Sequence, residues 1–153
     1  MICRLADERD FAELARMRRD FREEDGAERA VVDESEFLEI CVDFLRSNAE
    51  SCAYWVAAEA GEIVAHLFVQ RVALVPRPCR PRDAFGYVTN VYTKPAFRGR
   101  GVGTELLKRA VDWARAEDFE LLLVYPGERA IDFYRRAGFE PENEALKLVL
   151  REY

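Results

Sequence analysis

The fold is decided by residues 85–125, which read FGYVTNVYTKPAFRGRGVGTELLKRAVDWARAEDFELLLVY. Phe85 to Tyr92 favours a strand, and Gly101 to Glu117 carries a continuous apolar stripe opposite charged residues, which predicts a helix. Phe119 to Tyr125 is an almost uninterrupted apolar run, typical of a strand buried on both faces. A strand, a helix and a second strand in this order predict a parallel strand pair joined by a right-handed crossover.

Periodicity in the flanking sequence predicts the remaining elements. Before residue 85 we expect a strand over Ile2–Leu5 and a helix from about residue 11 to 21, capped by Asp7 or Asp10. We then expect a second helix over Glu34–Ser47 and an antiparallel hairpin formed by strands over Cys52–Ala58 and Ile63–Val75. After residue 125 we expect a helix and a last strand, over Arg129–Ala137 and Leu146–Leu150. The order βααβββαβαβ predicts one α/β domain over residues 1–153, with a mixed, mostly antiparallel sheet covered by helices on both faces.

Each of the two early helices carries an apolar stripe at helical spacing. On the first, this face comprises Phe11, Leu14, Ala15, Arg18 and Phe21. On the second, it comprises Phe37, Ile40, Cys41, Phe44 and Leu45. Between the helices lies an acidic cluster formed by Glu23, Glu24, Asp25 and Glu28, which is either a solvated charge run or an attractor for a cationic ligand.

Composition disfavours several function classes. The chain has 29 acidic and 23 basic residues and a net charge of −6, which disfavours nucleic acid as a partner. No apolar run is long enough for a membrane span, and the N-terminus resembles no secretory signal, so we expect a cytoplasmic protein with no membrane partner. Four cysteines without a CxxC pair and the single histidine, His66, predict no metal site. For His66 a structural role is favoured over a catalytic one. The sequence neither predicts nor excludes a homodimer.

The segment between the central strand and the strongest helix is suited to binding phosphate. Gly99, Gly101 and Gly103 leave main-chain amides unshielded at a helix N-terminus, where the helix dipole favours an anion. Arg98 and Arg100 add positive charge at the same place. The Walker A pattern and the Rossmann GxGxxG pattern both fail here, since no GK[ST] follows and residue 104 is threonine.

Two motifs resemble a known family. Arg98-Gly99-Arg100-Gly101-Val102-Gly103 fits the RxxGxG motif of the GNAT superfamily of acyl-CoA N-acyltransferases, and Ala130 to Phe139 resembles its AxxFYxxxGF segment. The order of elements resembles that fold over essentially the whole chain. The resemblance implies a splayed pair of central parallel strands and an N-acetyltransferase that moves the acetyl group of acetyl-CoA, its cosubstrate, to a primary amine of a small molecule or peptide.

The resemblance also implies a set of site residues. The pantetheine arm would contact the strand backbone at Val91, Tyr92 and Thr93, with an N–H near Val91 stabilising the oxyanion. The pyrophosphate would contact the loop amides of Arg98, Gly99, Arg100, Gly101, Val102, Gly103 and Thr104. Tyr134 would act as the general acid toward the departing thiolate, since a phenol of pKa about 10 can share a proton with a thiol of pKa about 8.5.

Two departures from the family pattern keep other functions open. Gly127 stands where many relatives have an asparagine, which puts one cofactor contact in doubt. No general base is evident, because the central strand offers Tyr87, Thr89 and Asn90, with Asp83 at its beginning. A non-catalytic acyl-CoA binding or sensing domain is therefore the alternative, and a protein-interaction module that uses Tyr54, Trp55 and Phe68 as a surface patch is a weaker third interpretation.

Overall fold

A computed structural model of the chain describes residues 1–26, 30–141 and 146–150. Within them the strands are β1 (Ile2–Leu5), β2 (Cys52–Glu59), β3 (Glu62–Ala73), β4 (Ala84–Thr93) and β5 (Leu122–Val124). The α-helices are α1 (Phe11–Glu24), α2 (Glu34–Ser47), α3 (Val102–Ala116) and α4 (Ile131–Arg136). Short 3₁₀ turns precede α1, α3 and α4.

The strands form one mixed sheet in the order β1-β2-β3-β4-β5. The first four are antiparallel to their neighbours, and β4 and β5 are parallel. The tight turn at Ala60 and Gly61 joins β2 to β3 and gives them antiparallel register, as a short connection requires. The predicted α/β class, the mixed sheet and the parallel step are confirmed.

Helices cover both faces of the sheet. On one face α3 buries Val102, Leu106, Leu107 and Ala110 against Leu67 and other residues of the central strands. On the other face α1 buries Phe11, Leu14 and Met17 against Tyr54 and Phe68. Burial of these side chains is the main force that holds the layers together, at roughly 1.5–3 kcal/mol for each large one. Because Tyr54 and Phe68 are core residues, they do not form the surface patch considered above.

Helix α2 packs differently from the other long helices. Asp33 caps it by accepting a hydrogen bond from the Glu36 amide (2.9 Å). Of its apolar stripe only Leu45 is buried, whereas Ile40 is 52% and Phe44 is 54% exposed. The stripe that predicted a core-facing helix therefore leaves large apolar side chains in contact with solvent.

The prediction of a last strand over Leu146–Leu150 is wrong. Residues 146–150 pair with no strand in the described part of the chain, and Leu146 is 98% exposed. An alternating pattern indicates only that a segment can be extended, whereas pairing with a neighbouring strand depends on tertiary contacts that the pattern does not specify. The parallel pair β4–β5 consequently lies at one end of the described sheet.

Strand β5 is shorter than predicted and only half-buried. It covers Leu122–Val124 rather than Phe119–Tyr125. Asp118 has a positive φ of 56° as the chain leaves α3, and Phe119 packs beside the sheet against Trp113 instead of joining the ladder. Because β5 is the end strand of the described sheet, it lacks the neighbour that would bury it fully.

A side chain at Gly86 would collide with residues of β3 and β5, and this yields a stability prediction. A Cβ there would lie 2.5 Å from Leu122 Cδ2 and 2.8 Å from Val69 Cγ1. Gly86→Ala should therefore lower the free energy of unfolding by about 1–3 kcal/mol, as overpacking does, measured by urea denaturation. Gly127→Ala is the control, because a Cβ at Gly127 meets nothing within 4 Å. Equal stabilities of the two variants would contradict this packing.

Candidate active site

Strand β4 contains a bulge near its middle. His66 of β3 pairs with Tyr92 and Phe68 pairs with Thr89, so Asn90 and Val91 together oppose one residue of β3. Asn90 has a positive φ of 49°, an uncommon conformation for a residue other than glycine. A bulge of this kind bends the strand and redirects its backbone groups.

Two side chains hold the bulge in place. The Nδ1–H of the fully buried His66 donates a hydrogen bond to the carbonyl oxygen of Asn90 (2.7 Å). Since a carbonyl can only accept, Nδ1 carries the proton of the neutral imidazole. Arg18 of α1 donates to the side-chain Oδ1 of Asn90 (3.1 Å). Both the main chain and the side chain of the bulged residue are therefore fixed from neighbouring elements.

Beyond the bulge β4 and β5 are no longer paired. Their parallel ladder consists of Gly86 with Leu122, Tyr87 with Leu123 and Val88 with Val124. From Thr89 to Thr93, β4 remains beside β3 but has no partner on the β5 side among the described residues. The backbone of the second half of β4 is thus open on one side, and the predicted residues Val91, Tyr92 and Thr93 all lie in this open part.

The glycine loop brings unpaired helix amides to the end of β4. Gly99 and Gly101 have φ values of 70° and 76°, and Gly101 is the N-cap of α3, with no side-chain cap. The first helical hydrogen bond runs from the Glu105 amide to the Gly101 carbonyl (3.0 Å), so the amides of Val102, Gly103 and Thr104 precede it. A Cβ added at Gly99 or Gly101 would meet nothing within 4 Å, which shows that the space before these residues is open.

The two loop arginines contact carboxylates. Arg98 donates to the Thr93 carbonyl (2.8 Å) and pairs with Glu24 (2.6 Å), while Arg100 pairs with Glu59 (3.0 Å). These ion pairs are half-exposed, so they contribute little to stability, and another anion can replace the carboxylate in each pair. Both arginine side chains thus lie beside the helix N-terminus and are not part of the hydrophobic core.

Tyr134 lies on α4 next to this loop. Its ring is buried and packs edge-to-face against Phe133 and Phe139. A Cβ at Gly103 would lie 3.4 Å from Thr93 Oγ1 and 3.6 Å from the Phe133 ring, so α3, β4 and α4 meet here. Burial, with an addition from the nearby Tyr87 phenol, raises the pKa of Tyr134 to about 12. Its hydroxyl therefore keeps its proton at any physiological pH.

A cleft of about 310 Å³ opens on the opposite face of the sheet, between α1, α2 and β4. It reaches the bulge, since Thr89 and Asn90 form part of its floor. Helices and sheet contribute the lining residues Leu14, Ala15, Arg18, Ile40, Cys41, Phe44, Leu45 and Phe68. The cleft is thus mainly apolar, and a molecule inside it lies against the strand that is open toward β5.

The structure narrows the choice of general base. Asp83 is inaccessible and is bonded to Arg77, which lowers the pKa of its carboxyl group, and Arg80 lies 3.8 Å away. It also lies seven residues before Asn90, roughly 20 Å along an extended strand. Asp83 is therefore a structural ion-pair partner. Thr89 and Asn90 are the polar groups of β4 that line the cleft, and no carboxylate is among the described lining residues.

The acidic cluster is largely neutralised by arginines. Glu24 accepts hydrogen bonds from Tyr92 and Arg98, which lower the pKa of its carboxyl group. Asp25 is paired with Arg22 (3.1 Å), and Glu23 lies 3.8 Å from Arg19. Glu28, the fourth member, lies outside the described residues. The three described carboxylates are thus tied to cations rather than gathered to attract one.

Two kinds of site are missing from residues 1–26, 30–141 and 146–150. No group of three histidine, cysteine or acidic side chains is arranged to hold a metal ion. The helices in the same residues are too short or too polar to cross a membrane.

Solved acetyltransferases share this fold. The crystal structure of a predicted acetyltransferase with acetyl-CoA from Clostridium acetobutylicum is 24% identical, with a TM-score of 0.81 over 97% of this chain and 96% of that one. A GCN5-related N-acetyltransferase from Ralstonia eutropha JMP134 is 25% identical, with a TM-score of 0.78 over 97% of each chain. The fold therefore defines the class as that of the α/β acetyltransferases.

Sequence relatives lead from this class to the family. Residues 12–139 match the model of the Acetyltransferase (GNAT) family, and the chain belongs to that family. An uncharacterised N-acetyltransferase of Methanocaldococcus jannaschii is 37% identical over 67 residues, 42% of this chain and 29% of that protein. The N-alpha-acetyltransferase RimI of Mycobacterium tuberculosis is 29% identical over 99 residues, 63% of this chain and 58% of RimI. The matches span less than two thirds of these curated relatives.

Sequence reasoning missed the roles of Arg18 and His66 at the bulge. Both lie on faces that otherwise carry apolar residues: Arg18 on the stripe of α1, and His66 on the buried face of β3. A polar residue on such a face needs a buried partner. That requirement was visible in the sequence, but the partner, Asn90, is 72 residues from Arg18 and 24 from His66.

The buried imidazole yields a pH prediction. Burial lowers the pKa of His66 to about 4; the hydrogen bond to Asn90 opposes this shift, and the Arg18 cation of α1 reinforces it. Among the described residues Nε2 has no hydrogen-bond partner, and the ring lies 5.8 Å from that of Tyr92 on β4. Unfolded His66 takes up a proton near pH 6.5, whereas the folded form does so only near pH 4, so acidification through this window favours unfolding.

We expect His66 alone to remove roughly 3 kcal/mol of stability between pH 7 and pH 4. His66→Asn keeps an amide donor for Asn90 and removes the titration, so its stability should fall less over the same range. Urea denaturation at several pH values measures the free energy of unfolding of both proteins. The contributions of the acidic residues common to both cancel when the two pH profiles are subtracted. Parallel pH profiles would contradict the assignment.

Proposed function

We propose that this GNAT domain is an acetyl-CoA-dependent N-acetyltransferase that acetylates a primary amine of a small molecule or peptide. The observation that carries the proposal is the opening between β4 and β5 directly beside the uncapped N-terminus of α3. Together they offer an extended strand backbone for a pantetheine arm and helix amides for a diphosphate. The acetyl-CoA in the Clostridium acetobutylicum structure supports this choice of donor.

In the proposed complex the main chain of Val91, Tyr92 and Thr93 contacts the pantetheine. The amides from Gly99 to Thr104 surround the diphosphate, whereas the Arg98 amide already donates to the Pro95 carbonyl (3.2 Å). The side chains of Arg98 and Arg100 exchange their carboxylate partners for phosphate. This exchange is favourable because a phosphate accepts more charge-assisted hydrogen bonds than a half-exposed carboxylate pair provides. Gly127 has no side chain to add a contact of its own.

The chemistry needs no covalent enzyme intermediate. The acceptor ammonium, entering from the cleft, first gives a proton to solvent water, and the neutral amine then attacks the thioester carbonyl carbon, while a strand N–H near Val91 stabilises the oxyanion. The C–S bond then breaks, the thiolate receives a proton from Tyr134, and a second proton from the attacking nitrogen returns to the Tyr134 phenolate through water. The raised pKa of Tyr134 keeps the phenol protonated but also makes it a weaker acid than an exposed tyrosine, so it donates only as negative charge develops on the sulfur.

A second function is favoured by one observation, the lack of a carboxylate base among the described lining residues. A non-catalytic acyl-CoA sensor would keep the cofactor loop and need no base. Release of free CoA on addition of an amine separates the two functions, because a sensor binds acetyl-CoA without turnover. CoA release with at least one amine would exclude the sensor.

The glycine loop gives a binding prediction. Gly101→Ala forces an L-residue into a positive φ and places a methyl group in the open space before α3. We expect the Kd of acetyl-CoA, measured by calorimetry, to rise roughly tenfold, which is about 1.4 kcal/mol. Gly61→Ala in the β2–β3 turn is the matched control, since Gly61 also has a positive φ (84°) and nothing within 4 Å. If both variants bind acetyl-CoA like the unchanged protein, the loop is not the diphosphate site.

Tyr134 gives a turnover prediction. Tyr134→Phe keeps the buried ring and removes the proton donor, so kcat should fall by roughly tenfold to a hundredfold while the Kd of acetyl-CoA stays within about twofold. Tyr54→Phe is the control: Tyr54 is equally buried on the other face of the sheet, where its hydroxyl donates to Leu45. That variant should lose about 1 kcal/mol of stability and keep its kcat. Unchanged turnover in Tyr134→Phe would remove Tyr134 from the mechanism.

A further inference from the structure

The cleft between α1, α2 and β4 has an apolar wall that the fold itself does not use. Ile40 and Phe44 of α2 are each more than half exposed, although they lie on the same stripe as the buried Leu45. Both line the cleft, together with Leu14 and Phe68 from its floor. Because these side chains are exposed, each lacks part of the roughly 1.5–3 kcal/mol of stabilisation that full burial of a large apolar side chain provides. Contact with an apolar group of a ligand would bury them and provide that free energy.

Arg18 is the one charged residue among the described residues that line this cleft. Its guanidinium donates to Asn90 Oδ1 (3.1 Å) and lies 5.6 Å from the centre of the Phe21 ring. A planar guanidinium presents five donors in a geometry that matches a carboxylate. A substrate carboxylate can therefore join or replace its present contacts, whereas an ammonium group would be repelled.

The position of Arg18 determines where the amine of such a substrate lies. Because Arg18 is bonded to the side chain of the bulged residue, an anion bound to it lies beside the part of β4 that is open toward β5. The anionic group and the reacting nitrogen must then be close together in the substrate. In an α-amino acid a single carbon atom separates the carboxylate carbon from the amine.

We propose that the acceptor is an α-amino acid with an apolar side chain, its carboxylate bound by Arg18 and its side chain packed against Ile40 and Phe44. This inference rests on the proposed function, since it names the amine that the transferase acetylates. It replaces the cationic acceptor suggested by the acidic cluster. The described members of that cluster are paired with arginines, and none of them lines the cleft.

The test compares acceptors that differ in one group. CoA release from acetyl-CoA is measured with L-phenylalanine, L-phenylalaninamide, phenethylamine, glycine and spermidine. We expect kcat/KM for L-phenylalanine to exceed that for phenethylamine and for the amide by roughly tenfold to a hundredfold, the effect of a charge-assisted hydrogen bond. Glycine should be poorer than L-phenylalanine because it lacks the apolar group, and spermidine should be the poorest.

Two variants separate the contributions of charge and apolar contact. Arg18→Gln should bring the ratio of kcat/KM for L-phenylalanine to that for phenethylamine close to one, and this ratio is the readout because the contact of Arg18 with Asn90 also affects the activity common to both acceptors. Phe44→Ala changes an exposed side chain and should narrow the preference for L-phenylalanine over glycine by roughly tenfold. Arg109→Gln is the control, since Arg109 is an exposed residue of α3 paired with Glu105, away from the cleft. It should change neither preference.

The outcomes distinguish this inference from the proposed function. Release of CoA with equal kcat/KM for L-phenylalanine and phenethylamine would overturn the inference and leave the transferase in place. An equal loss for both acceptors in Arg18→Gln would overturn it as well. No release with any amine would overturn both. The comparison of acceptors in the unchanged protein needs no variant, so poor folding of Arg18→Gln does not weaken the test.

Discussion

The hydrogen bond from His66 to the carbonyl oxygen of Asn90 is the interaction on which the rest of the site depends. A strand in the middle of a sheet normally pairs on both sides, because unpaired buried backbone groups are costly. In β4 the bulge interrupts this pattern, and the buried imidazole of His66 on β3 supplies a donor in place of a backbone amide. The strand can then turn from β5 while it remains attached to β3. Without that support, the opening beside the glycine loop would have to be stabilised by some other donor.

Much of the fold could be predicted from periodicity, because burial imposes a spacing on each element. The bounds of α1, α2, β2 and α3 follow the apolar stripes closely. Whether residues 146–150 pair with the sheet, and how long β5 is, could not be predicted in this way, since both depend on contacts between strands that the spacing within one segment does not specify. For the candidate site, the positions of the glycines before α3 and of Tyr134 on α4 could be predicted from local motifs. The roles of Arg18 and His66 could not, because their shared partner, Asn90, is distant in sequence and its conformation depends on the bulge.

Charge in this acidic protein is arranged in local pairs. Glu24 links Tyr92 and Arg98, and Glu59 contacts Arg100, so both loop arginines are held close to the N-terminus of α3. Each pair is partly exposed and contributes little to stability, which keeps the cations exchangeable. The net charge of −6 therefore does not describe the field at the loop, where helix amides and two arginines converge. A polyanionic cosubstrate is compatible with an acidic chain for this reason.

The two faces of the sheet differ in how tightly their helices are packed. On one face α3 is fixed by fully buried aliphatic side chains, and its first turn consequently has one defined position relative to β4. On the other face α2 buries a single residue, Leu45, and presents the rest of its apolar stripe to the cleft. Substitutions at Ile40 or Phe44 remove little packing, so they alter the cleft at small cost in stability. The side proposed to hold acetyl-CoA is therefore fixed by the core, whereas the side proposed to face the acceptor can be changed without removing core packing.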